Sequence, residues 1–151
     1  MWSHYASSHA GFVLEFDSRN DHFHRQKSDE DELRHLRRIQ YRDARPSAAL
    51  SDLDPVEMFL VKSVHWAYER EWRMLHALSE ASEQIPAQPF PFCLFSFDRS
   101  AIRSVVIGAR ASEQTVSNIR QALASSPEYA HVRVRRAEPD PSHFLLRIRD
   151  D

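Results

Sequence analysis

Glycine is almost missing from these 151 residues: Gly11 and Gly108 are the only two. Walker-type loops and G-x-G-x-x-G dinucleotide turns need several glycines so that the backbone can approach a phosphate closely, and the scarcity excludes both. A phosphate or nucleotide would have to be held by side chains or a helix N-terminus. Cysteine is scarcer still. Cys93 stands alone in the apolar run PFCLFSF, which excludes a disulfide framework and a multi-cysteine zinc site and leaves the role of a buried small hydrophobe. No apolar run approaches the roughly 18 residues of a membrane span. The opening MWSHYASSHAGF has neither the basic start nor the apolar stretch of a secretory signal, so a cytoplasmic location is expected. Neither sign of charge dominates. A net charge of -2 creates no global field for nucleic acid, and any such binding needs a local basic patch.

What is present is the balance of an ordinary globular protein, 42% hydrophobic and 28% charged, long enough to form one domain over 1–151 with its own core. GFVLEFD, 11–17, reads as a largely buried strand carrying Phe12, Leu14 and Phe16. The polar stretch 18–38 reads as a solvated excursion with room for a short helix at about 29–38. Ile39 and Tyr41 alternate as a short strand that stops before Pro46. Asp54-Pro55-Val56-Glu57 is a strong helix start, with Asp as cap, Pro at the first turn and Glu completing a capping box. Val56, Phe59, Leu60 and Val64 then give an apolar face, so a helix is expected to about 67 and a strand from about 71. Prolines at 86, 89 and 91 make 79–91 a loop. FCLFSF and IRSVVIGA read as strands, and Ser112 caps a helix with Val116, Ile119 and Leu123 inward. AHVRVRRA and SHFLLRIR form a hairpin around EPDP. The expected class is α+β, a mainly antiparallel sheet with two principal helices at about 54–67 and 112–125.

Chemistry concentrates in HWAYEREWR, 65–73. All three tryptophans and two of the four tyrosines fall within 1–5 and 65–73, which suggests that these stretches meet in one aromatic-walled corner. His4, His9, Lys62, Glu69, Glu71 and Arg73 would gather there, and burying charges is costly unless they pair or work. Glu69 and Arg73 share a face in helix or strand alike, whereas Glu71 joins them only in an extended segment. Nine histidines are present, but no H-x-x-x-H or H-E-x-x-H spacing occurs, so no metal site is expected. A serine nucleophile elbow is also missing. Arg133, Arg135, Arg147 and Arg149 align on one face of a hairpin in this reading, which gives a weak nucleic-acid surface against the plainer role of a solubilising edge.

MWSHYASSHAGFVLEFD, then KSVHWAYEREWR, then AIRSVVIGA, resembles bacterial family 2971 of the catalogued domains of unknown function, whose members carry W-S-H-Y-A, H-x-G-F, W-x-Y-E-x-E-W-R and V-I-x-G in that order. Both glycines fall at motif positions. Members usually continue upstream of W-S-H-Y, so the resemblance implies that this chain corresponds to the C-terminal part of the family's usual length. Glu69-Arg70-Glu71 is also similar to the E-x-E of arginine-directed ADP-ribosyltransferases. That similarity implies Glu71 on the nicotinamide ribose, Tyr5 or Trp66 stacked on the ring, and His4 and Arg73 on ribose hydroxyls or phosphate. The expected function is an enzyme of the toxin or phage-defence kind acting on NAD or nucleic acid, with His4, Tyr5, Glu69, Glu71 and Arg73 catalytic and Trp2, His9, Lys62 and Trp66 supporting. NAD enters as a substrate, and no cofactor or membrane is implied. The alternative is a non-catalytic binding module, a homo-oligomer or partner subunit that covers the N-terminal edge and in which the same corner is structural.

Overall fold

The computed structural model describes residues 2–45 and 54–151; the strand stop at Pro46 and the Glu57 half of the capping box lie outside what is described. In chain order the elements are α1 (Trp2–Tyr5), β1 (Phe12–Phe16), β2 (Arg37–Arg38), β3 (Gln40–Arg42), α2 (Pro55–Phe59), β4 (Val61–Ser63), β5 (Trp72–Arg73), β6 (Glu83–Ile85), β7 (Phe92–Leu94), β8 (Ile102–Ile107), α3 (Glu113–Ala124), β9 (Arg133–Pro139) and β10 (Leu146–Asp150). Helices and mainly antiparallel strand pairs make an α+β protein. They form two compact units, Met1–Asn20 with Phe97–Asp151, and Asp21–Ser96.

The first unit is built on a sheet of order β1-β8-β9-β10, antiparallel except for the β8–β9 pair. A parallel pair needs a crossover, and α3 supplies it. Ser112 Oγ accepts the Thr115 N–H at 3.1 Å, and Glu113 in the first turn suits the helix dipole. Val116 and Ile119 of α3 then pack on Val105 and Ile107 of β8, with Val132 and Val134 beside them. Each such side chain contributes about 1.5–3 kcal/mol on full burial. Because α3 packs on β8, Phe12, Leu14 and Phe16 on the edge strand remain 47%, 36% and 41% exposed. β1 is therefore a strand as expected, but a half-exposed one.

The β9–β10 hairpin forms, yet its register divides the arginines. Arg147 stands opposite Glu138 and Arg149 opposite Arg136, whereas Arg135 stands opposite Asp150. With a side-chain period of two, Arg147 and Arg149 lie on one face and Arg133 and Arg135 on the other. The single arginine face does not exist. Arg149 pairs with Glu138, Arg147 with Asp140, and Arg135 with Asp150 and Glu15.

The second unit is made of short pairings: β2–β5 and β6–β7 antiparallel, β3–β4 parallel. Asp54 Oδ1 accepts the Val56 N–H at 2.8 Å and starts α2 as expected. The helix ends at Phe59 rather than about 67. Gln40 donates to the Leu60 carbonyl at 2.7 Å and Val61–Ser63 pairs along Gln40–Arg42, so strand bonds replace helical ones. The chain then tightens into a 3-10 helix, Val64–Glu69, ended by Arg70 at φ 49°.

The polar stretch 18–38 has room for a short helix at about 29–38, and none forms there among the described residues. The Asp31 carboxylate accepts the N–H groups of Lys27 and Leu33, each at 2.9 Å, which closes the backbone into turns instead. Within 79–91, read as loop throughout, Glu83–Ile85 is a strand because it finds Phe92–Leu94 as its partner.

Candidate functional site

The β3–β4 register sets Lys62 beside Tyr41. Arg70 turns the chain in the left-handed region, and Glu69 before it and Glu71 after it both reach Lys62. Lys62 Nζ donates to Glu69 Oε2 at 2.5 Å and to Glu71 Oε2 at 3.0 Å. Arg73 Nε donates to the other Glu71 oxygen at 2.6 Å, and its Nη1 to the Phe59 carbonyl at 2.6 Å. The Glu71 backbone N–H donates to the Tyr41 hydroxyl at 2.8 Å, while its carbonyl accepts from Ile39 at 3.0 Å. Glu71 is thus fixed at backbone and side chain.

Two carboxylates face two cations, and each stabilises the charge of the other. The Arg73 bond holds the Glu71 carboxyl below its ordinary range, with Lys62 adding to the effect against partial burial. The bonds to Glu69 and then Glu71 raise the Lys62 ammonium above its usual range. Glu71 is therefore ionised at neutral pH, suited to stabilising developing positive charge and unsuited to donating a proton. Its side chain is 27% exposed. A carboxylate offers about four lone-pair positions, so acceptor capacity remains toward solvent.

Aromatic surface adjoins this cluster. Lys62 Nζ lies 5.0 Å from the Trp66 ring centroid, and Trp66 and Tyr68 stand 6.1 Å apart at 37°. Both rings are open, Trp66 at 40% and Tyr68 at 58% exposure.

The opening segment is organised within the first unit. After α1, residues Ser7, Ser8 and His9 adopt φ of 50°, 53° and 69°, an unusual run for non-glycine residues. Gly11 closes the turn by donating to the Ala6 carbonyl at 2.9 Å. His9 stacks on Trp2, rings 6.1 Å apart and 4° from parallel, and His4 meets Tyr5 edge-on at 6.4 Å. His9 Nδ1 is buried with no hydrogen-bond partner among the described residues. Gly108 donates to the Gly11 carbonyl and Arg110 to that of His9, each at 2.9 Å, so the segments His9–Gly11 and Gly108–Arg110 are bonded to each other.

Of the site residues read from the sequence, Lys62, Trp66, Glu69, Glu71 and Arg73 belong to the second unit and form one cluster; Trp2, His4, Tyr5 and His9 belong to the first. The expected Glu69–Arg73 pair gives way to separate partners, Lys62 for Glu69 and Glu71 for Arg73. The 3-10 geometry and the Arg70 bend remove the i, i+4 relationship on which that pairing rested. Tyr41 was missed: it lies thirty positions from Glu71, and strand alternation marks it only as a core residue. Among the described residues no three His, Cys, Asp or Glu side chains converge as a metal-ligand set, and no helix is long and apolar enough to cross a membrane.

Residues 1–74, which include this cluster, match the model of the family DUF2971, described as a protein of unknown function. Neither a curated protein nor a solved structure matches the chain.

Proposed function

We propose, for a chain whose residues 1–74 match a family of unknown function, an activity read from the cluster itself: a bacterial, cytoplasmic enzyme of the toxin or phage-defence kind that acts on NAD or nucleic acid at a ribosyl bond. The observation that supports this most is the Glu71 carboxylate, held ionised between Lys62 and Arg73 and still partly open, with the exposed Trp66 ring against the same Lys62. When the bond from ribose to its base breaks, the electron pair leaves with the base and positive charge develops on the sugar, to which a water molecule then adds and gives up a proton. An anchored carboxylate stabilises that charge without having to reorganise. Trp66 and Tyr68 offer stacking faces for the planar leaving group, and Arg73 and Lys62 keep Glu71 from protonation. Glu69 orients Lys62. His4 and Tyr5 remain part of the proposal as further contributors, tested separately by alanine replacement.

Expression in a bacterial host is the test. Growth arrest by the native chain, relieved by Glu71→Gln with undiminished protein level, supports the enzyme; growth unaffected by the native chain counts against it.

A second reading has its own observation. The half-exposed row Phe12, Leu14 and Phe16 lies on the edge strand β1, where backbone groups and apolar surface invite a further strand. In this reading the chain is a binding module and the charge cluster is structural. Dimerisation by light scattering, lost in Leu14→Lys, favours it; a monomer at all concentrations opposes it.

A further inference from the structure

Seven of the ten arginines of the first unit are neutralised by a carboxylate. Arg19, Arg99, Arg120, Arg135, Arg136, Arg147 and Arg149 all have one within 4.0 Å. Among the described residues Arg103, Arg110 and Arg133 do not. Two of these three, Arg103 and Arg133, line the same cleft, at the starts of β8 and β9, with Arg19, Asp17, Ser100, Ile102 and His131 in its wall. It is an open depression of about 450 Å³.

We propose that this cleft is a phosphate subsite for a nucleoside diphosphate, with Arg103 and Arg133 as its principal donors. Three guanidiniums face one carboxylate, Asp17, so the lining carries two net positive charges with His131 neutral. Asp17 is already engaged, accepting from the Arg19 backbone N–H at 3.0 Å and from Arg19 Nε at 3.2 Å. It holds Arg19 in place, and although its field reaches Arg103 it makes no ion pair within 4.0 Å with Arg103 or Arg133. Glu15, whose field also reaches Arg103 and Arg133, is bonded to Ser104 at 2.5 Å and paired with Arg135. Guanidinium forks match the oxygens of a phosphate in pairs, and two such forks in one concavity suit a diphosphate better than an isolated charge does.

The rest of the ligand follows from what adjoins the cleft. Ser100 and His131 also line a second concavity of about 460 Å³, whose wall includes the 43% exposed Phe97 ring. His131 Nε2 lies 3.0 Å from the Ile102 carbonyl; since a carbonyl only accepts, Nε2 carries the hydrogen and the ring is pinned as the shared wall. Arg99 in this second concavity is committed to Glu128 and lies over Tyr129 at 5.6 Å. It is therefore the arginine-poor, ring-bearing end. A phosphate at Arg103 and Arg133 sends a planar base toward Phe97. Only residues of the first unit take part, so the proposal stands independently of the reading of Glu71.

Calorimetric titration of the full chain with ADP, with inorganic pyrophosphate and with a ten-nucleotide RNA tests it. The expected result is saturable ADP and pyrophosphate binding, weakened roughly tenfold by each of Arg103→Gln and Arg133→Gln and unchanged by Arg110→Gln, the unpaired arginine outside the cleft. Amide shifts on adding pyrophosphate to the native chain should centre on 17–19, 100–103 and 131–133, which keeps the test decisive if a variant misfolds. Absence of saturable ADP binding overturns the proposal. So does equal loss in Arg110→Gln, binding of RNA alone, or shifts confined to other residues.

Discussion

A Cβ added to Gly108 would stand 2.2 Å from the carbonyl oxygen of His9. That oxygen accepts from Arg110, and the Gly108 N–H itself donates to Gly11, so the obstacle is bonded backbone, which no rotamer change relieves. Gly108→Ala should cost about 3 kcal/mol or abolish folding, at the upper end of overpacking penalties. Gly11→Ala meets Ala6 backbone at 3.2 Å and should cost roughly 1 kcal/mol. Scanning calorimetry of both variants checks the order. A Gly108→Ala protein that melts with the native chain would contradict the close approach.

Acid should loosen the turns of residues 27–34 well below the ordinary carboxylate range. N–H groups of Lys27 and Leu33 with the Arg34 guanidinium hold Asp31 at about 2, and bonds from Arg34 and Lys27 hold Glu80 at about 2. Both folded values lie below the ordinary 3.8 and 4.5. The stabilisation is therefore complete above about 4.5 and fades as pH falls toward 2. Hydrogen exchange at the Lys27 and Leu33 amides reads this directly: protection should persist at pH 4 and vanish near 2, and loss already at pH 4 would be inconsistent with it.

The helix α3 depends on its cap. Ser112→Ala removes the acceptor for the Thr115 N–H and should cost about 1 kcal/mol, measurable as a lower urea midpoint with unchanged slope. An unchanged midpoint would mean that water caps this helix equally well.

Arg147 and Arg149 have carboxylate partners and face away from Arg133 and Arg135. Replacing both by glutamine should leave any RNA affinity within about twofold and its salt slope unaltered. A fall in slope by about two would return the hairpin to the nucleic-acid surface that its sequence suggested.

Local signals in the sequence were legible where packing agreed with them. Ser112 and the Val116–Ile119 spacing marked α3, and the apolar run of IRSVVI marked the central strand. Residues 60–69 defeated the reading because the helical face starting at Val56 continues in sequence, while the backbone bonds are taken by Gln40–Arg42, twenty positions away. Nothing local announces that partner. The arginine face of the hairpin failed through register, since EPDP does not specify which residues stand opposite. Within the site, Lys62, Glu69, Glu71 and Arg73 were identified by residue type and crowding, but their pairing was not. That depended on Arg70 taking a left-handed conformation usually left to glycine.

The release of base from NAD or RNA by the purified chain, compared between the native protein and Glu71→Gln, bears most directly on the role of Glu71. Loss of an anchored charge that stabilises developing positive charge should lower turnover by about 10²–10³-fold, with tryptophan fluorescence and melting temperature near native. Absence of turnover on both substrates, or equal turnover by Glu71→Gln, would reduce Lys62, Glu69, Glu71 and Arg73 to a structural ion-pair cluster.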